Sequence, residues 1–316
     1  MGAYVARRLL SLIPVLMGIT FIAFILGNYA AGDPAVQIYI VRTGEPPPNN
    51  AVIEDLREEL GLNDPFLLRY ARWVVEAAQG RFGSSYRTGT PVLQEIVEHA
   101  GITFLLAIIG ILLSFILAIP LGVIAAAFQD AWLDIAIRTT SFIGAAMPSF
   151  WLSYMLILIF SVRLHLLPVS GTGTWQHMVL PAIAVSFFGI AVISRLLRAS
   201  MLEVIHSDFI RTAHAKGLSN TRILLVHVLR NSLIPVITVT GSLFGSLVAG
   251  AVIIETIFAL PGLGRLILNA ISFRDYPVIQ GFVVFTGVIF LLVNLIVDLS
   301  YTVIDPRVRL TEVRRN

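Results

Sequence analysis

Long apolar runs separated by short polar stretches dominate the chain. They occupy residues 9–31, 101–128, 135–164, 180–197, 234–258 and 276–303. About 20 apolar residues in a helix cross the hydrocarbon core of a bilayer, so the pattern predicts six transmembrane helices. The third run breaks at Met147-Pro148-Ser149, and Pro120 predicts a kink in the second. Gly110, Ser114, Ala118, Gly122 and Ala126 recur at four-residue spacing in that second run. Such a stripe of small residues predicts close packing on another helix.

Two polar segments stand out. Residues 207–235 read as two short helices joined at Gly217, with Ser207 as an N-cap, Asp208 in the first turn and Lys216 in the last. Ile205, Phe209 and Ala213 predict an apolar stripe on the first of them. The second helix is expected from Ser219 or Asn220 to Ser232, with Pro235 marking entry to the fifth span. Arg211, Lys216, Arg222 and Arg230 suit either a docking surface for another protein or an amphipathic pair on lipid headgroups. The other segment, 32–99, has helical patterns at 51–60 and 65–79 and a break at Gly80-Arg81-Phe82-Gly83-Ser84-Ser85. It reads as a small cap on the membrane part.

Composition sharpens the picture. Of 316 residues, 57% are hydrophobic and 13% charged, against about 25% charged in soluble domains. The fold class is therefore all-α polytopic membrane protein. The chain has no cysteine, which excludes disulfides and thiolate chemistry. The stretches 1–8, 129–134, 198–233 and 304–316 hold 11 Lys and Arg, against 2 in the short loops 165–179 and 259–275. Positive charge concentrates on the cytoplasmic side of short loops. This places both termini and residues 207–235 in the cytoplasm and residues 32–99 outside.

No nucleotide, metal-protease or hydrolase motif occurs, and no catalytic or metal-ligating residue is assigned. Glu255 and Asp298 lie near span ends, where partial hydration makes a charge less costly, and structural or interfacial roles are expected for both. Midplane acids and internal repeats of a secondary transporter are not evident. A translocation pathway driven by a cytoplasmic partner remains, with a stand-alone channel or secondary transporter as the rival.

The run RTAHAKGLSNTRILLVHVLRNSLIP resembles the cytoplasmic EAA-type loop of ABC-transporter permeases of the dipeptide, oligopeptide and nickel uptake family. GRFGSSYRTGTPV, LPVSG, GAVIIETIFALPGLGRLILNAI, RDYPVIQG and YTVIDPRVR extend the likeness over nearly the whole chain. The resemblance implies a type I importer permease of the first-subunit kind in a prokaryotic inner membrane. The implied layout is a leader and first helix at 1–31, an extracytoplasmic segment at 32–99, a five-helix core at 100–303 with the coupling stretch at 205–235, and a tail at 304–316. It implies a second permease, two ATPase subunits holding ATP and Mg, and an extracytoplasmic substrate-binding protein as partners, with no nucleic acid and no cofactor of its own. Coupling falls to Asp208, Phe209, Arg211, Thr212, Ala213, Ala215, Lys216 and Gly217, with Thr212 standing where the family's glutamate is usual. Thr238, Ser242, Ser246 and Ser149 are the candidate pathway lining, and Phe82, Ser84, Ser85 and Leu263 the candidate outer gate. Peptides are the implied substrate. Nickel, glutathione and oligosaccharides are the alternatives within the same architecture.

Overall fold

The computed structural model describes residues 2–29 and 34–304. The end of the first predicted run and residues 305–316, with the final DPRVR of the family-like tail, lie outside the described residues. Among those described, every named element is helical. In order they are α1 (Gly2–Tyr29), α2 (Pro34–Thr43), α3 (Asn50–Glu59), α4 (Phe66–Ala78), α5 (Val92–Ala127), α6 (Trp132–Ala146) and α7 (Ser149–Leu156). There follow α8 (Gln176–Ile205), α9 (Asp208–Ala215), α10 (Asn220–Arg222), α11 (Leu229–Gly250), α12 (Val252–Ile257), α13 (Leu263–Ser272) and α14 (Tyr276–Ile304). Wide π-helical turns continue α7 through Ile157–Arg163 and join α10 to α11 through Ile223–Val228.

Five of these helical stretches are long and apolar enough to cross a membrane. A sixth arises if α6 and α7 with its π extension form one span, bent by 103° at the Met147-Pro148 break. Helix α5 continues through Pro120 without interruption. The fifth predicted run differs from expectation at both ends. Its helix begins at Asn220, so Pro235 lies inside α11 and no separate helix ends at Ser232. At its far end Ala251 separates α11 from α12. Continuous helix keeps the backbone of 220–250 hydrogen-bonded as it enters lipid, where an open turn has no water to satisfy it.

The chain divides into two packed units, 1–101 with 261–291 and 102–260 with 292–316. In the first, α2 and α3 enclose a small core of Ala35, Ile53 and Leu56. Asn49 caps α3 by accepting the Val52 N–H at 3.1 Å. Helix α4 lies on α1 through an aromatic cluster in which Phe21 and Phe24 meet Phe66 and Tyr70 edge to face or tilted. On α14, Gly281 seats Val92 and Ile96, and Gly287 seats Ile19.

The second unit is built on α8, which packs against α5, α6, α7 and α11. The small stripe on α5 is the contact surface. A Cβ on Gly122 would meet Leu197 and the Ser194 carbonyl at 3.0 Å, and one on Gly189 would meet Ser114 Oγ at 2.5 Å. Ser114 donates across the contact to the Ser186 carbonyl at 3.0 Å. Small residues thus set the helix separation, and a hydroxyl bond fixes the register.

Candidate functional site

Helix α9 is short and closed at its far end. The Leu218 N–H donates to the Ala213 carbonyl at 3.3 Å and the Gly217 N–H to the His214 carbonyl at 2.9 Å. Gly217 has φ of +77°, the left-handed conformation that closes a Schellman motif. Open space surrounds the position where a Cβ would stand, so backbone conformation alone selects glycine there. The ring of His214 bridges the turn, with Nδ1 3.0 Å from the Ile210 carbonyl and Nε2 3.1 Å from Asn220 Oδ1.

The near end differs from the sequence reading. Ser207 occupies the N-cap position in extended conformation, yet its hydroxyl donates back to the Val204 carbonyl at 2.6 Å. It closes α8 instead of capping α9. Ile205 belongs to α8, and Phe209 is 47% exposed. The buried face of α9 is Ile210 and Ala213, which join Leu197, Met201, Ile223 and Val228 in one apolar cluster. Of the eight predicted coupling residues, Asp208, Phe209, Arg211, Thr212, Ala215, Lys216 and Gly217 share an exposed surface. Ala213 anchors that surface from below. Asp208 and Arg211 pair at 3.3 Å in full exposure, where an ion pair adds little.

A second polar feature climbs α11. Thr238, Ser242 and Ser246 are exposed on one helix face, each hydroxyl donating to the carbonyl four residues earlier, at 3.2, 3.5 and 2.9 Å. Ser246 and the half-buried Ser149 meet at a cavity of about 250 Å³ that Ser114 also lines. The other walls include Ile111, Phe188 and Leu243. Thr238 and Ser242 continue the stripe beyond the cavity.

In the first unit, one of the predicted gate residues, Ser85, falls at a hydrogen-bonded knot. Ser85 is buried and donates to Asp275 Oδ2 at 2.5 Å. The Tyr86 and Arg87 amides donate to the same carboxylate at 3.0 and 3.3 Å, and the Arg87 and Thr88 amides also reach Ser85 Oγ. Arg87 lies over the Phe273 ring at 5.3 Å. Burial, then the charge of Asp275, pushes the Tyr86 phenol up to about 12. Ser84 is exposed and pairs with Pro91 in an isolated bridge. Phe82 is half-buried beside Gly281, and Leu263 is fully buried at the start of α13. The knot ties the GSSY and RDYP segments together. Asp275 was legible inside RDYP, but nothing in the sequence said what it held.

The buried carboxylate of Asp134 escaped the sequence reading. Asp134, with no exposed surface, takes a two-pronged contact from Arg198, Nε to Oδ1 at 2.6 Å and Nη2 to Oδ2 at 2.7 Å. The Asp130 amide donates to Oδ2 at 2.9 Å, and Arg138 Nε stands 3.5 Å from Oδ1. This pair fastens the start of α6 to α8 seven residues before its end. Opposite charges at the same end of two antiparallel spans were the available signal. Glu255 is fully buried and accepts from Thr103 Oγ1 at 2.6 Å, which is the structural placement of the two expected for it and not the hydrated interfacial one. Asp298 is half-buried.

Residues 118–310 match the family described as binding-protein-dependent transport system inner membrane component. A dipeptide transport system permease protein of Alkalihalophilus pseudofirmus is 40% identical, covering 98% of this chain and 100% of that one. An oligopeptide transport system permease protein of Bacillus subtilis is 39% identical over 98% and 99% of the two chains. A glutathione transport system permease protein of Escherichia coli is 39% identical over 97% and 98%. In fold, the chain is similar to a solved structure of the MetNI methionine ABC transporter in inward facing conformations, with TM-score 0.58 and 16% identity, covering 67% of this chain and 97% of that one.

Proposed function

The chain belongs to the family of binding-protein-dependent transport system inner membrane components, and from that premise we propose that it is one permease half of an ATP-driven importer of short peptides. The observation that carries the proposal is the pairing of a closed, exposed α9 with a continuous helix through 220–250. Helix α9 is held by Ile210 and Ala213 and locked at Gly217. A load applied to its exposed face passes through the turn at Gly217 into the helix that carries Thr238, Ser242 and Ser246.

In this reading residues 207–235 and both termini are cytoplasmic, which the distribution of positive charge supports. One of two ATPase subunits receives Asp208, Phe209, Arg211, Thr212, Ala215 and Lys216 in a groove. ATP and Mg belong to those subunits. Closure of the ATPase pair moves α9 as a rigid body and rocks α11 against a second, similar permease, opening the pathway outward. The hydroxyl face of α11 and Ser149 line that pathway. The Ser242 and Ser246 hydroxyls donate to carbonyls on their own helix, and a hydroxyl oxygen that donates can still accept from water or a peptide backbone. The knot at Ser85 and Asp275, with Phe82, Ser84 and Leu263 near it in the same unit, holds the outer gate. A substrate-binding protein outside the membrane delivers the cargo. Dipeptide and oligopeptide relatives of about 40% identity support the peptide class, and the glutathione relative makes that tripeptide the first alternative.

The test is co-purification with the ATPase pair and second permease, followed by ATPase assay in lipid with the binding protein and a panel of peptides including glutathione. Stimulation of hydrolysis only by peptide-loaded binding protein is the expected result. A chain that purifies alone and transports in response to an ion gradient overturns the reading.

A further inference from the structure

Helix α4 divides lengthwise into three sectors. One, made of Phe66, Tyr70 and Trp73, is spent on α1: Phe24 meets all three rings at 5.3 to 5.6 Å between centroids. The next sector carries Arg72 and Glu76, both exposed. Arg72 pairs with Asp64 at 3.0 Å. The third sector is apolar and bare. Leu67 is 71% exposed, Leu68 50% and Val75 58%, with the exposed Ala71 between them.

Depth decides what meets that bare sector. The apolar window of α1 runs Leu10–Gly27. Phe24 and Phe21 stand about 4.5 and 9 Å down the helix axis from Gly27, at 1.5 Å per residue. Tyr70 reaches deeper, its hydroxyl donating to the Met17 carbonyl at 3.2 Å and lying 3.0 Å from Thr20 Oγ1. All these contacts fall inside the apolar window, whose own surface is also bare, with Met17 and Ile22 59% and 58% exposed. The bare sector of α4 therefore continues a lipid-facing surface. Its charged sector turns the other way. Tyr70 and Trp73 are of the residue types that gather at a membrane interface.

We propose that α4 is an interfacial helix, seated in the leaflet at the Gly27 end of α1, with Leu67, Leu68 and Val75 against acyl chains and Arg72 and Glu76 in water. This is the arrangement of a helix that lies in the membrane plane without crossing it. Hooked to α1 by Tyr70, it makes the 34–78 segment part of the membrane surface. The inference rests on α1 as a span and stands or falls independently of the permease assignment.

The chain has no cysteine, so single cysteines report without background. Nitroxides at Leu67→Cys, Leu68→Cys, Val75→Cys, Arg72→Cys and Glu76→Cys, in the full chain reconstituted in phosphatidylglycerol–phosphatidylethanolamine vesicles, are compared for collision with oxygen and with a water-soluble nickel chelate. The expected result is a several-fold higher oxygen-to-nickel ratio at 67, 68 and 75 than at 72 and 76. Nickel access at 67 and 75 equal to that at 72 overturns the proposal. So does exclusion of both reagents from 67 and 75, because a protein then covers the sector.

Discussion

Single side chains in this protein do their work as members of buried pairs. Arg198 gives Asp134 two short hydrogen bonds, and removing one partner leaves the other charge without its counterpart. Asp134→Ala is expected to cost about 1.5–3 kcal/mol, the range for a hydrogen bond to a charged group. The loss should be read as a lowered unfolding temperature in detergent, and Asp134→Leu with Arg198→Met should recover part of it, since a well-packed apolar pair avoids burying charge. Tyr86 gives a second prediction. With its phenol pushed up from 10 to about 12, folded and unfolded chains both keep that proton below pH 10. Above pH 10 the unfolded chain releases the proton while the folded one retains it, so stability falls as pH rises toward 12. Tyr86→Phe should flatten that part of the alkaline stability curve, and unfolding measured between pH 9 and pH 12 checks the sign.

At the scale of elements, α9 and the α5–α8 contact respond to opposite kinds of change. The face of α9 is exposed and its footing is not. Thr212→Arg should therefore leave the unfolding temperature unchanged and raise the ratio of ATP hydrolysed to peptide transported. Ala213→Asp should lower stability, because the carboxylate enters the cluster of Leu197, Met201 and Ile210. Equal loss of stability in both variants would contradict the division between surface and footing. Gly217→Ala separates shape from space: with nothing near the added carbon, its cost is the left-handed strain of about 1–2 kcal/mol. The helix pair has no such room. Gly122→Ala places a methyl 3.0 Å from the Ser194 carbonyl, and forcing α5 from α8 should cost about 1–3 kcal/mol, seen as earlier unfolding with α9 intact to limited proteolysis.

The whole molecule poses one question of count, whether the pair α6–α7, bent by 103°, is a crossing or a re-entrant hairpin. Single cysteines at Glu58 and Thr212, both exposed, decide it. Three crossings separate them if the pair spans, and two if it does not. Labelling by a membrane-impermeant maleimide from opposite faces is the expected outcome. Labelling from the same face makes the pair re-entrant and moves residues 32–99 to the side of α9.

Much of this was determined by the sequence alone. The apolar runs specified helices because lipid leaves the backbone no partner but itself. The four-residue stripe on α5 specified a close helix contact, and Gly217 specified the end of α9, because both depend on residues near in sequence. What the sequence left open depends on how helices are rotated and shifted against one another. Ser85 and Asp275 are 190 residues apart and Asp134 and Arg198 are 64 apart. Neither hydropathy nor spacing aligns such partners. The same limit hid which side of α9 is footing, since Phe209 and Ile210 are both apolar and only packing against Leu197 and Met201 chose the second. Hydropathy fixes which segments enter the membrane, whereas small residues and hydroxyl bonds at the contacts fix their register, and only the folded chain brings those contacts together.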